Sequence, residues 1–124
     1  ADDGLYYNFE FNPIGTIHVS CGTGRHDRKR IEKDIAAKVR TLGSMGALPF
    51  SERSGDLSWT LTIAIPLEVF INHETGSLKG RTFRANFYKC GDMLTVPHYV
   101  TWNPVLTEKP DFHRPEFFGE IVFI

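Results

Sequence analysis

The stretch Leu57-Ser58-Trp59-Thr60-Leu61-Thr62-Ile63-Ala64-Ile65-Pro66 alternates along its whole length. Leu57, Trp59, Leu61, Ile63 and Ile65 fall on one side of an extended chain, and Ser58, Thr60, Thr62 and Ala64 on the other. Successive side chains of a β-strand point to opposite faces, so this pattern predicts a strand with one buried face that holds Trp59 in the core. Pro66 cannot donate to a ladder and closes it.

The same period recurs on both sides. Leu5, Tyr7, Phe9 and Phe11 share a face opposite Tyr6, Asn8 and Glu10. Asn12-Pro13-Ile14-Gly15 supplies turn residues, and Thr16 to Cys21 is a second β-branched run, which together predict a hairpin. Downstream, Arg81 to Cys90 sets Phe83, Ala85 and Phe87 on one face and Arg84, Asn86 and Tyr88 on the other. Pro97 to Trp102 and Phe118 to Ile124 read as further strands, separated by an irregular loop carrying Pro104, Pro110 and Pro115. Leu67 to Phe70 fits one helical turn.

Residues Arg25 to Arg40 break the pattern. Ile31, Ile35 and Val39 recur every four residues among charged ones, which predicts an amphipathic helix ended by Gly43 and Gly46. This segment carries +4 and the remainder −5. It reads either as a docking patch for an anionic polymer or as a solvated helix face. The lack of interleaved aromatic residues favours the second.

Ten Phe, four Tyr and two Trp, with 11 Gly and 7 Pro in 124 residues, suit strands and turns better than helices. The expected fold is therefore all-β: an antiparallel, jelly-roll-like β-sandwich with one inserted α-helix, forming a single domain over residues 1–124. Only about six or seven strands are countable, and the first begins near residue 5, so one sheet is expected to lack N-terminal strands that a preceding segment or a partner supplies.

A net charge of −1 gives no general attraction to nucleic acid or anionic membrane. The longest apolar runs, Ile63 to Pro66 and Ile121 to Ile124, fall far short of the roughly 20 residues that span a bilayer. Ala1-Asp2-Asp3-Gly4 has neither the basic start nor the apolar stretch of a signal peptide. No pair among His18, His26, His73, His98 and His113 has helical metal-ligand spacing. Cys21 and Cys90 stand outside any CxxC and fit either one disulfide or two thiols.

Bond-breaking machinery is not marked. Cys21-Gly22-Thr23-Gly24-Arg25 lacks the ending of a phosphate loop and reads as a glycine turn, and there is no G-x-S-x-G elbow. Glu10, Glu68, Asp92, Asp111, Glu116 and Glu120 could supply paired carboxylates, but any β domain carries as many surface acids. Trp102 is different in kind. It stands at a strand end beside Asn103-Pro104 and enters a loop with Asp111, Phe112, His113 and Glu116. An aromatic ring with polar neighbours is what a pyranose needs, although Trp102 could equally pack beneath that loop.

The runs Phe83-Arg84-Ala85-Asn86-Phe87-Tyr88-Lys89-Cys90-Gly91-Asp92, His98-Tyr99-Val100-Thr101-Trp102-Asn103-Pro104 and Pro110 to Glu120 resemble the family 9-like carbohydrate-binding modules of Bacteroidetes-type bacteria. Trp59 to Phe70 resembles their W-x-x-x-x-x-I-P strand, and Tyr6 to Gly24 their YYNFEFN strand and following GTGR turn, so the resemblance covers essentially the whole chain. It implies a non-catalytic module for plant-type polysaccharide of the xylan or cellulose class, extracytoplasmic and attached to or packed against a secreted glycoside hydrolase. A structural module of that kind, or a glycosidase fragment, are the alternatives. No cofactor is required, and the calcium of the better-known modules is structural. Those modules clamp a sugar at a chain end between two tryptophans. Trp102 matches the later of them, with Asn103 beside it and Arg84, Asn86 and Tyr88 as outward neighbours. The earlier tryptophan is expected before the YYNFEFN strand, which makes this chain the later portion of such a module.

Overall fold

The computed structural model describes residues 3–124; Ala1 and Asp2, which open the stretch read above for a signal peptide, lie outside the described residues. The chain divides into two compact units, Ala1–Gly76 and Ser77–Ile124.

In the first unit, β1 (Tyr6–Phe11) and β2 (Ile17–Gly22) form the expected antiparallel hairpin, running from Tyr6 opposite Gly22 to Phe11 opposite Ile17. Asn12 closes the turn. Its carbonyl accepts the Gly15 N–H at 2.9 Å and its Oδ1 the Thr16 N–H at 2.8 Å. Gly15 takes φ +80°, a left-handed conformation that glycine adopts without a Cβ clash.

The stretch expected to be helical resolves into three elements. β3 (Arg28–Arg30) pairs with β2, α1 (Lys33–Ala36) is a four-residue helix, and β4 (Arg40–Gly43) is a strand. The cause lies in the glycine turn. Thr23 N–H donates to Asp27 O at 3.0 Å and Thr23 Oγ1 to Asp27 Oδ2 at 2.7 Å, which folds the chain back as a second hairpin. A Cβ on Gly22 would lie 1.9 Å from Asp27 O, so only glycine lets the two backbones close. The four-residue spacing nonetheless picked out the inward side chains: Ile31 and Val39 are buried with Val19, Cys21 and Val69, and Ile35 packs against them. Tyr7, Phe9, Phe11 and Ile65 complete that core. Burying each such aliphatic side chain contributes about 1.5–3 kcal/mol before entropy is counted.

The long alternating strand is shorter than its pattern. β5 (Leu61–Ala64) pairs antiparallel with β4, from Gly43 opposite Leu61 to Arg40 opposite Ala64. Beyond Gly43 the partner turns away through Gly46 at φ +79°. Ser44 still holds Thr60, and residues 51–60 belong to no strand. Trp59 is half-buried there, and Leu57 is exposed.

The second unit consists of two antiparallel ribbons. β6 (Thr82–Ala85) pairs with β9 (Gly119–Val122), and β7 (Tyr88–Cys90) with β8 (Tyr99–Thr101). The fold class is all-β with antiparallel pairing throughout, consistent with a β-sandwich, and its helix is minor. Cys21 is a buried free thiol and Cys90 an exposed one. Among the described residues no helix is long and apolar enough to cross a membrane.

Candidate functional site

The run Arg81–Cys90 contains two strands because Asn86 interrupts it. Asn86 Nδ2 donates to Asn103 O at 2.9 Å and Phe117 O at 3.3 Å, while Oδ1 accepts from Phe87 N–H at 2.9 Å and Asn103 N–H at 2.8 Å. An amide has two donors and room for two acceptances at its oxygen, so all four are committed inside the protein. The side chain stands where a backbone partner would, joining three segments distant in sequence.

Interrupting a strand at Asn86 shifts its alternation. Phe87, expected inward, is 61% exposed, whereas Tyr88, expected outward, is half-buried and stacks on Phe112 with centroids 4.4 Å apart. Trp102 N–H donates to Phe87 O at 2.9 Å, and the two rings meet edge to face at 5.6 Å and 63°. Trp102 is 52% exposed, which rules out the reading that it packs wholly beneath its loop. The inner edge of the indole rests on Gly119, where a Cβ would stand 2.9 Å from Cζ3. Bare backbone at that position lets the ring lie down against β9.

Arg84 and Asn103 also work partly inward. Arg84 Nε donates to Phe118 O at 3.3 Å, and Nη2 donates to Phe118 O at 2.9 Å and Glu116 O at 3.1 Å. Asn103 Nδ2 donates to Phe117 O at 2.8 Å. These bonds hold the segment before β9 beside Trp102, and they leave Arg84 Nη1 and Asn103 Oδ1 without protein partners among the described residues. Within that segment Arg114 Nε meets Glu116 Oε1 at 2.7 Å and Nη1 lies 3.8 Å from Asp111 Oδ2. The Glu116 backbone N–H, and after it Arg114, hold the Glu116 carboxyl below its ordinary 4.5.

Of the five residues singled out from the sequence, Trp102, Asn103, Arg84 and Asn86 therefore converge through shared bonds, and Tyr88 lies on the ring stack behind them. Phe87 and Gly119 were missed. A poor strand former such as Asn86 inside an alternating run was the available signal for the first. Chemically, two apolar ring surfaces at an angle, with a guanidinium and an amide oxygen at the side, suit the C–H face and hydroxyls of a sugar. No three His, Cys, Asp or Glu side chains among the described residues gather as a metal site.

The sequence profile of carbohydrate-binding family 9 matches residues 1–123. The fold also matches the crystal structure of a "putative carbohydrate-binding protein" from Bacteroides uniformis ATCC 8492, with a TM-score of 0.92 and 40% identity. The match covers 100% of this chain and 57% of that one, so the chain spans little more than half the length of its solved relative. No curated protein matches it.

Proposed function

The chain belongs to carbohydrate-binding family 9 and is a binding module rather than an enzyme, and from that premise we propose that it binds plant-type saccharides of the xylan or cellulose class at Trp102 and Phe87. The observation that carries the site is the exposure of these two touching rings on a scaffold fixed from behind by Asn86. Trp102 stacks on a pyranose face, Phe87 walls its side, and Arg84 Nη1 and Asn103 Oδ1 bind hydroxyls. Asn86 and Tyr88 are positioning residues. In this reading the module works extracytoplasmically beside a glycoside hydrolase, keeping that enzyme on its polymer. A single-sided platform binds a lone oligosaccharide weakly, so its value lies in raising effective concentration when tethered.

Affinity electrophoresis through gels containing soluble xylan, hydroxyethylcellulose or an unrelated α-glucan tests the substrate class. Retardation by the first two and not by the third is expected. Equal mobility in all three gels would contradict the proposal.

A further inference from the structure

We propose that the first unit carries a second saccharide-binding groove, formed by Leu67–Gly76, that takes a neutral sugar through Asn72 and Glu74. The groove is open, about 590 Å³ in volume, and lies within the range of small-molecule sites. Leu67, Phe70 and Ile71 contribute its apolar lining, and Glu68, Asn72, His73 and Glu74 its polar one.

Its frame is fixed from the core. Val69 is fully buried, and the Phe70 ring packs edge-on against Tyr7 at 4.9 Å and Phe9 at 5.7 Å. Tyr7 OH accepts the Asn72 N–H at 2.8 Å and lies 3.3 Å from His73 Nδ1, while His73 Nε2 contacts Asp3 Oδ2 at 2.9 Å. Glu68 is engaged by Lys38 at 2.8 Å. The Asn72 amide and the Glu74 carboxylate are left exposed, with no protein partner among the described residues.

An apolar surface beside an amide, which both donates and accepts, and a carboxylate, which accepts from two neighbouring hydroxyls, matches a pyranose. The charges select among sugars. Lys38 and His73 are committed to Glu68 and Asp3, so among the described residues no free cation of the groove offsets Glu68 and Glu74 against an acidic ligand. A neutral saccharide is therefore the fitting occupant.

Titrating ¹⁵N-labelled Trp102→Ala chain with xylotriose, cellotriose and a glucuronic-acid-substituted xylotriose, followed by amide shifts, tests this. Saturable shifts confined to residues 67–76 are expected with a neutral sugar and weaker ones with the acidic sugar. Adding Asn72→Ala and Glu74→Gln, both at exposed positions, should weaken that binding at least about tenfold without moving the thermal midpoint. No shifts in 67–76, stronger binding of the acidic sugar, or unchanged affinity in the triple variant would each overturn the proposal. In the unsubstituted chain, shifts at 84–103 report on the Trp102 platform separately.

Discussion

Asn86 and Asn103 bond reciprocally: the Asn86 Oδ1 accepts the Asn103 N–H at 2.8 Å, and its Nδ2 returns a bond to the Asn103 carbonyl at 2.9 Å. A side chain thus reads the backbone of another segment as a strand would. Replacing it by alanine leaves part-buried donors and acceptors of Asn103 and Phe117 unmet, and removes the partner of the exposed Phe87 N–H. Asn86→Ala should destabilise the second unit by about 3 kcal/mol, seen as a lower urea midpoint with an unchanged slope. Asn86→Asp should do no better, because a carboxylate oxygen would face the Phe117 and Asn103 carbonyls in place of the amide donor.

Gly119→Ala tests the seat of the indole. The added methyl would lie 2.9 Å from Trp102 Cζ3 and 3.3 Å from Asn103 Cγ, so the ring must tilt away from β9. Overpacking of this kind costs about 1–3 kcal/mol. The expected signature is an altered near-ultraviolet dichroism of Trp102 with a loss of sugar affinity larger than the loss of stability.

Gly22→Ala probes the first unit. Its Cβ would meet Asp27 O at 1.9 Å and Arg28 Cα at 2.4 Å, and backbone cannot rotate aside as a side chain can. A loss of roughly 3 kcal/mol or more is expected. Hydrogen exchange should show protection collapsing at Ser20 to Gly22 and Arg28 to Ile31 first.

The acid response of the loop beside Trp102 follows from Glu116. Its carboxyl lies below 4.5 because its own backbone N–H, and next Arg114, favour the ionised form. A carboxyl whose folded value is depressed adds stability that is complete above its unfolded value and is lost as pH falls through the folded one. The loop should therefore loosen only below pH 4.5, read as increased quenching of Trp102 fluorescence. The step should be small, since the pair is exposed, and absent in Glu116→Gln.

Alternation and spacing made much of this legible. The Tyr6–Gly22 hairpin, the inward set of Ile31, Ile35 and Val39, and the strands flanking Trp102 all follow from local periodicity. Where the reading of the strands differed, a turn decided. Thr23 and Asp27 turned a helical period into a hairpin, and the turn at Gly46 removed the partner of residues before Thr60. At the site, Trp102 and Asn103 were readable from their place at a strand end. The exchange of Phe87 for Tyr88 was not, because it arises from three bonds that Asn86 makes to segments absent from its own neighbourhood in sequence.

Sugar contact by the Trp102 and Phe87 rings is tested most directly by calorimetric titration with xylo- and cello-oligosaccharides. Heat should be released with the unsubstituted chain, with affinity reduced at least about tenfold in Trp102→Ala and by a smaller factor in Phe87→Ala. Thermal unfolding of both variants should remain cooperative, since the two rings are largely exposed. Undiminished affinity when both rings are removed together, in a folded protein, would contradict it.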